Sequence, residues 1–315
     1  MVEAVVPSHR PVDSRLRTGL VMAGSAAVLF AVNGTVSKII LLSGVTAPRL
    51  TQIRSAGAFL VLFSVLMVGH RDRLRISRKE LPELVVYGVV GFAFVQWLYF
   101  VAIARLPVGI GLLIEYTAPI LVALWARFGM HEHVRSRVWW ALALSMVGLA
   151  MVAQVWRGST LDTVGVVAGF LAACSLAFYF VFGEKKVRGD RDPVSLVCWG
   201  FFFATVFWSL FLPFWTFPWG LLDTDVSMLG NFADVYVPLW TLVIYMILLG
   251  TVVPFTLIIG SLLHLRATQA GVVGMLEPVL ATVVAWWWLG EALGLGQVVG
   301  GLVVLLGIGL AQTAR

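Results

Sequence analysis

Apolar residues along this chain of 315 come in blocks of about twenty, divided by short polar gaps. A helix needs ~20 apolar residues to cross the hydrocarbon of a bilayer. Ten runs approach that length, at 18–42, 49–69, 84–104, 108–127, 138–155, 164–183, 194–216, 239–261, 270–289 and 295–312. Barrel strands would be ~10 residues long with apolar and polar positions alternating, and these runs are longer and do not alternate. The pattern predicts an all-α integral membrane protein with ten transmembrane helices.

One stretch of the pattern is written twice. Gly91, Pro119, Glu132 and Gly148 recur 159 positions later as Gly250, Pro278, Glu291 and Gly307, with no gap in the offset and with apolar surroundings each time. Five spans fall in each half, so a residue count of 1–17 for an amino-terminal tail, 18–157 for a first five-helix repeat and 158–315 for a second describes the chain. An odd number of spans per half means that the second repeat enters the membrane from the opposite side. Inverted repeats provide two related packings of nearly equal energy, each open to one side, which is the physical basis of alternating access.

Charge fixes the expected orientation. Lys and Arg in short loops favour the cytoplasm. One side collects Arg10, Arg15, Arg17, Arg71, Arg73, Arg75, Arg78, Lys79, Arg127, Arg135, Arg137, Lys185, Lys186, Arg188, Arg191, Arg266 and Arg315, against Arg49, Arg105 and Arg157 on the other. The longest gap, 217–238, lies on the poorer side and holds Asp223, Asp225 and Asp234 with no base. Both termini are expected in the cytoplasm.

Composition narrows the class further. Hydrophobic residues make up 60% of the chain and charged ones 12%, against roughly 45–50% and 25% in soluble domains. The formal charge of +6 is scattered between apolar runs and forms no face for a nucleic acid, so no nucleic-acid partner is expected. The first apolar run is too long for a signal-peptide core and should stay as a helix. Cys174 and Cys198 both fall inside spans and read as small packing residues. No gap is long enough for a folded soluble domain, and no GxSxG, phosphate-loop or HExxH pattern occurs. His131, Glu132 and His133 put their imidazoles on different sides of a helix and read as a solvated turn, so no metal is expected. Glu132 and Glu291, at matching span ends, read as helix-end residues bonded to backbone donors.

Polar side chains inside spans carry the candidate chemistry, because an ionisable group in hydrocarbon costs at least ~2.5–3.5 kcal/mol on insertion scales and persists with a partner or a wet cavity. Glu115 lies well inside the fourth span and Glu277 well inside the ninth. The 159 offset puts Glu277 opposite Ala118, three residues from Glu115, so the two acids share a helix stripe. Pro119 and Pro278 follow them and each frees a backbone carbonyl. Arg54 in the second span is either a buried counter-ion or a side chain that snorkels. The same two readings apply to Lys38 near the outer end of the first span, whose repeat mate is Lys185. Asn33, Gln96, Tyr99, Tyr116, Thr117 and Tyr179 add neutral polarity, and their concentration with the acids points to one polar cavity. Trp97 and Trp199 lie far enough inside their spans to face it. Other tryptophans, such as Trp140, Trp215 and Trp287, fit an interfacial belt. The glycines of 88–91, 165–169 and 296–301 suit close helix contact.

AVNGTVSK in the first span, Arg54, AIARLPVGIGLLIEYTAPILVAL and HLRATQAGVVGMLEPVLATVVAWWWLGEAL together resemble the drug/metabolite transporter superfamily, EamA type, over roughly 18–312. EYTAP is also similar to a Glu–aromatic–x–small–Pro pattern of threonine/homoserine exporters in this group. HEH stands where a Gly-Glu turn is common, which makes Glu132 a weaker equivalence than Glu291. The resemblance implies an inner-membrane carrier with no cofactor, exporting amino acids or other metabolites, with proton exchange as a common energy source. It also implies a cavity lined by the first, third, fourth, sixth, eighth and ninth spans. The partners expected are a small-molecule substrate, protons and the lipid bilayer, with a homodimer as one open oligomeric state. The site residues expected are Glu115, Glu277, Asn33, Lys38, Arg54, Gln96, Tyr99, Tyr116 and Tyr179. A multispan membrane enzyme acting on a lipid-soluble substrate is the alternative.

Overall fold

A computed structural model of the chain describes residues 12–106, 108–157 and 161–313. Arg10, Arg315 and most of the expected tail at 1–17 lie outside these residues. Ten helical spans follow in order: Val12–Leu42, Ala47–Gly69, Leu81–Ile103, Gly109–Gly129, Ser136–Val152, Thr163–Arg188, Pro193–Phe211, Leu239–Ser261, Ala267–Leu289 and Leu295–Thr313. Nine are long and apolar enough to cross a membrane, and the fifth is an apolar helix of 17 residues, at the lower limit for spanning. The architecture is the all-α membrane bundle that the hydrophobic pattern implies.

Several ends differ from the expected ones. The sixth span continues to Arg188 and holds Lys185, Lys186 and Arg188 in its last turn, where cations complement the negative end of the helix dipole. The seventh stops at Phe211 and not at 216. Leu212 leaves the helical region with φ −130° and ψ 84°, Pro213 follows, and Phe214–Thr216 forms a separate 3₁₀ turn. The long gap is also not featureless. Strands Asp225–Ser227 and Tyr236–Pro238 pair antiparallel, with Val226 opposite Val237, so the described residues are not wholly helical. This ribbon, of three residues per strand, is too short to cross a bilayer.

The ribbon belongs to a cap that grips the ends of several spans. Asn231 Nδ2 donates to Trp287 O at 2.8 Å and Trp288 Nε1 donates to Met228 O at 2.8 Å. Arg49 donates to Pro213 O at 3.0 Å, while Phe217 is buried with Ile39, Ile40, Leu50 and Leu239. At the opposite end of the bundle the helices close on one another. A Cβ on Gly19 would meet Leu265 Cγ at 2.7 Å, one on Gly183 would meet Ile259 Cδ1 at 2.9 Å, and Leu262 and Leu265 are fully buried. Glu184 accepts from the Ala267 backbone N–H at 2.8 Å and pairs with Arg188 at 3.0 Å.

The 159-residue offset is written into backbone irregularities as well as residue types. The third span has a π-helical stretch at Tyr87–Phe94, and the eighth has one at Leu248–Val252, within the shifted interval. The fourth span breaks into Val108–Glu115 and Ala118–Leu124 around Tyr116–Thr117, and the ninth breaks into Ala267–Gly274 and Leu276–Leu289 around Met275. Tyr116 and Met275 are related by the same offset. The fifth and tenth spans press together along small residues: a Cβ on Gly148 would stand 2.7 Å from Gly300 O, and one on Gly307 would stand 2.9 Å from Ala141 O. No real Cβ tolerates such an approach, so glycine sets this interhelical distance.

Candidate functional site

Proline explains the two mid-span breaks. Pro119 has no N–H for the carbonyl four residues back, which is that of Glu115, and Pro278 leaves the carbonyl of Gly274 in the same state. Glu115 and Gly274 are offset mates, and both line one cavity of about 670 Å³. The cavity runs from Ala23, Gly91 and Ile258 in the middle of the bundle to Leu42, Val45, Thr46, Ala104, Leu289 and Glu291 at the capped end. It ends short of the closed Leu262–Leu265 packing.

All nine residues singled out from the sequence (Glu115, Glu277, Asn33, Lys38, Arg54, Gln96, Tyr99, Tyr116 and Tyr179) stand on this wall. Glu115 is 8% exposed, and no hydrogen bond or ion pair joins it to another described residue. Glu277 accepts from Tyr116 Oη at 2.6 Å, so a side chain from the first break reaches the acid of the second. Gln96 donates Nε2 to Phe92 O at 2.9 Å, which fixes the amide and leaves Oε1 buried without a donor. Asn33 Oδ1 and Tyr179 Oη are likewise buried with no hydrogen-bond partner. Asn33 lies so close to Gly250 that a Cβ there would overlap its amide.

Two of the nine take roles the sequence left open. Arg54 does not snorkel, being 6% exposed, and it forms no ion pair among the described residues. Its Nε donates to Thr251 Oγ1 at 2.7 Å and its Nη2 to Gly250 O at 3.0 Å. Gly250 is four residues before Pro254, whose missing N–H frees that carbonyl. Arg54 therefore closes the backbone defect of the eighth span, with its guanidinium carbon 5.6 Å from the Phe255 ring centre. Lys38 sits half-exposed at the mouth and pairs with Glu291 at 3.6 Å.

Other expectations are corrected. Glu291 and Glu132 do not cap backbone donors with their carboxylates; Glu132 pairs with Arg266 at 2.8 Å. Each lies at a span end facing a base on another span, and ion pairing wins where a cation is within reach. Trp97 packs on Phe94 and Trp208, and Trp199 on Phe202 and Phe203, both away from the cavity. Thr117 spends its hydroxyl on Ile114 O at 2.7 Å. The second span joins the six expected ones through Ala47 and Arg54. Sequence reasoning also missed the mouth pair, although Lys38 and Glu291 both lie near span ends on the capped side of the bundle. It missed the aromatic walls of Phe30, Phe180 and Phe255, which carry no signal of their own in so apolar a chain.

The duplicated architecture around a shared cavity agrees with the family comparison. The EamA-like transporter family model matches residues 17–154 and again residues 163–313. The chain belongs to the EamA-like transporter family. It is a multi-pass membrane transporter, and this places it outside the membrane-enzyme alternative. It is 28% identical over 252 residues to an uncharacterized transporter, YdfC, of Bacillus subtilis, covering 79% of this chain and 76% of that one. It is 25% identical over 276 residues to the threonine/homoserine exporter RhtA of Escherichia coli K12, covering 86% and 84%. A solved crystal structure superposes with a TM-score of 0.75 at 16% identity over 94% of this chain and 96% of that chain, a likeness of fold alone. In this EamA-like transporter the two matched segments meet at the cavity, one supplying Glu115 and the other Glu277.

Proposed function

We propose that this EamA-like transporter is a proton-coupled exporter of an ammonium-bearing small metabolite, an amino acid or a close relative, working by alternating access in the plasma (inner) membrane. The observation that carries this reading is the placement of Glu115 and Glu277 on repeat-related helix breaks facing one cavity. A carboxylate in a low-dielectric cavity can hold either a proton or a cationic group, and the two compete. Exchange of one for the other then follows if the cavity faces the two sides of the membrane in turn.

Residues 18–157 and 158–315 act in this reading as inverted repeats, preceded by a cytoplasmic tail at 1–17. The basic loops lie with the termini in the cytoplasm, and the 212–238 cap lies outside. The cavity then faces outward, with the inner side sealed by the Gly19, Gly183, Leu262 and Leu265 packing. In the inward state the mouth between Lys38 and Glu291 closes and the Glu184–Arg188 end of the sixth span parts from the ninth.

Transport by purified protein in liposomes tests the coupling. Glu115→Gln or Glu277→Gln is expected to reduce pH-gradient-driven flux at least tenfold while the protein still purifies as a folded species. If both variants keep a normal dependence of flux on the pH gradient, the acids are structural and the coupling assignment is wrong.

A further inference from the structure

Arg54 brings a positive charge into the bundle without a carboxylate in contact. It forms no ion pair among the described residues, and its two hydrogen bonds go to neutral acceptors, Thr251 Oγ1 and Gly250 O. A guanidinium has five N–H donors. Nε and one hydrogen of Nη2 hold the eighth span, which leaves the end-on fork of Nη1 and Nη2, two parallel N–H groups that match a carboxylate. Nη1 has no protein partner and is open to the cavity, as are Asn33 Nδ2 and Tyr99 Oη. Asn33 and Arg54 meet at Gly250, where Arg54 donates to the carbonyl and Asn33 packs against the residue. Tyr99 lies within electrostatic reach of Arg54.

The acids supply the opposite pole. Glu115 has neither a hydrogen bond nor an ion pair among the described residues, and Glu277 holds only the Tyr116 hydroxyl. Glu277 lies within electrostatic reach of both Arg54 and Glu115, so the two poles open on one part of the cavity. A buried charge without a partner is costly. A zwitterion answers both needs at once, its carboxylate meeting the guanidinium and its ammonium the bare acid. A simple amine would leave the guanidinium unpaired, and a simple carboxylate would bring nothing to the acid.

Resting on the proposed exchange reading, we infer that Arg54, Asn33 and Tyr99 form a carboxylate subsite, with Glu115 as the ammonium subsite, so that the substrate must carry a free carboxylate beside its ammonium. Amines and amino-acid esters are then poor substrates. Arg54 works on two edges: one closes the backbone defect of the eighth span, and the other receives the solute. Substrate binding therefore fastens the second span to the eighth through a single guanidinium.

Titration calorimetry on the purified full chain in detergent, with phenylalanine, leucine, threonine and the methyl ester of each, isolates the carboxylate. A free amino acid of this panel is expected to bind at least tenfold more tightly than its own ester. Arg54 also holds the eighth span, so the subsite is tested through its other two members. Asn33→Asp keeps the shape of the side chain against Gly250 and replaces its donor by an acid. It is expected to weaken the amino acid at least tenfold while the ester binds as before. Tyr99→Phe is expected to weaken the amino acid several-fold and the ester little. An ester that binds as tightly as its acid, or variants that weaken both ligands alike, would overturn the inference. If that ester also exchanges for protons in liposomes, the exchange reading survives the loss. A cavity selective for the carboxylate whose flux ignores the pH gradient keeps the subsite and loses the exchange. Binding by none of the panel, from a protein that remains folded, overturns both.

Discussion

At the scale of single residues, the molecule depends on a few places where backbone and side chain are fitted to each other. Gly250 is the sharpest case, because its π-helical stretch, the carbonyl freed by Pro254 and the side chains of Asn33 and Arg54 all converge there. Gly250→Ala puts a methyl group on the Asn33 amide. Overpacking of this kind costs ~1–3 kcal/mol, so the variant should unfold several degrees lower in a detergent thermal-shift assay. Asn33→Ala in the same chain should recover most of that loss. An unchanged melting temperature in the single variant would mean that the eighth span shifts freely. Much of this was visible in the sequence: Asn33 and Arg54 stand out as polar positions in apolar runs. Their common neighbour Gly250 is legible as a landmark of the repeat but not as the place where they meet, since its carbonyl meets Arg54 across more than 190 positions of chain.

At the scale of elements, the broken helices are what bring polar backbone to the cavity wall. A continuous helix buries all its carbonyls, whereas a break at mid-span presents polar backbone where it lines a cavity. Pro119→Ala and Pro278→Ala restore a donor at each break. Each should leave the amount of folded protein unchanged or raise its melting temperature by a few degrees, because proline is the poorest residue in a helix interior. Transport should fall at least several-fold, measured as initial flux in liposomes. Full flux from both variants would show that the breaks follow from the prolines and serve nothing. The fifth and tenth spans contrast with this pair. Their contact through Gly148, Gly300 and Gly307 leaves no room for a cavity, and neither contributes a residue to the cavity wall. They join the two halves away from the cavity.

At the scale of the whole molecule, one end is sealed and the other is open beneath a cap. The proposed orientation puts the cap outside, where Asp234 is exposed next to the ribbon. Ser227 is less suitable as a probe position, being half-buried with its hydroxyl on Ala233 O. In a chain lacking Cys174 and Cys198, a cysteine at 234 (Asp234→Cys) should react with a membrane-impermeant maleimide added to intact cells. Labelling only after permeabilisation would reverse the assigned topology and make the cavity inward-facing. The cap holds the outer end of the ninth span through Trp287 and Trp288, beside the Lys38–Glu291 pair, so it stiffens the element that frames the mouth.

The sequence by itself determined the membrane class, the ten helices and the duplication, because these rest on local quantities: apolar run length and residues repeated at one offset. It also determined which side chains are chemically out of place, because an ionisable group in hydrocarbon is conspicuous wherever it points. Tertiary structure alone decided what those groups do. The partners of Arg54, Glu277 and Glu291 lie on other spans, and nothing local distinguishes a guanidinium that closes a backbone defect from one that snorkels. The aromatic wall was hidden for a related reason. Of the chain's 20 phenylalanines, those facing the cavity and those exposed on the bundle surface alike stand in apolar runs, and only packing separates them. The cap was equally out of reach, since its three-residue strands are too short to be stable alone or to give a periodic signal, and the spans they cover hold them.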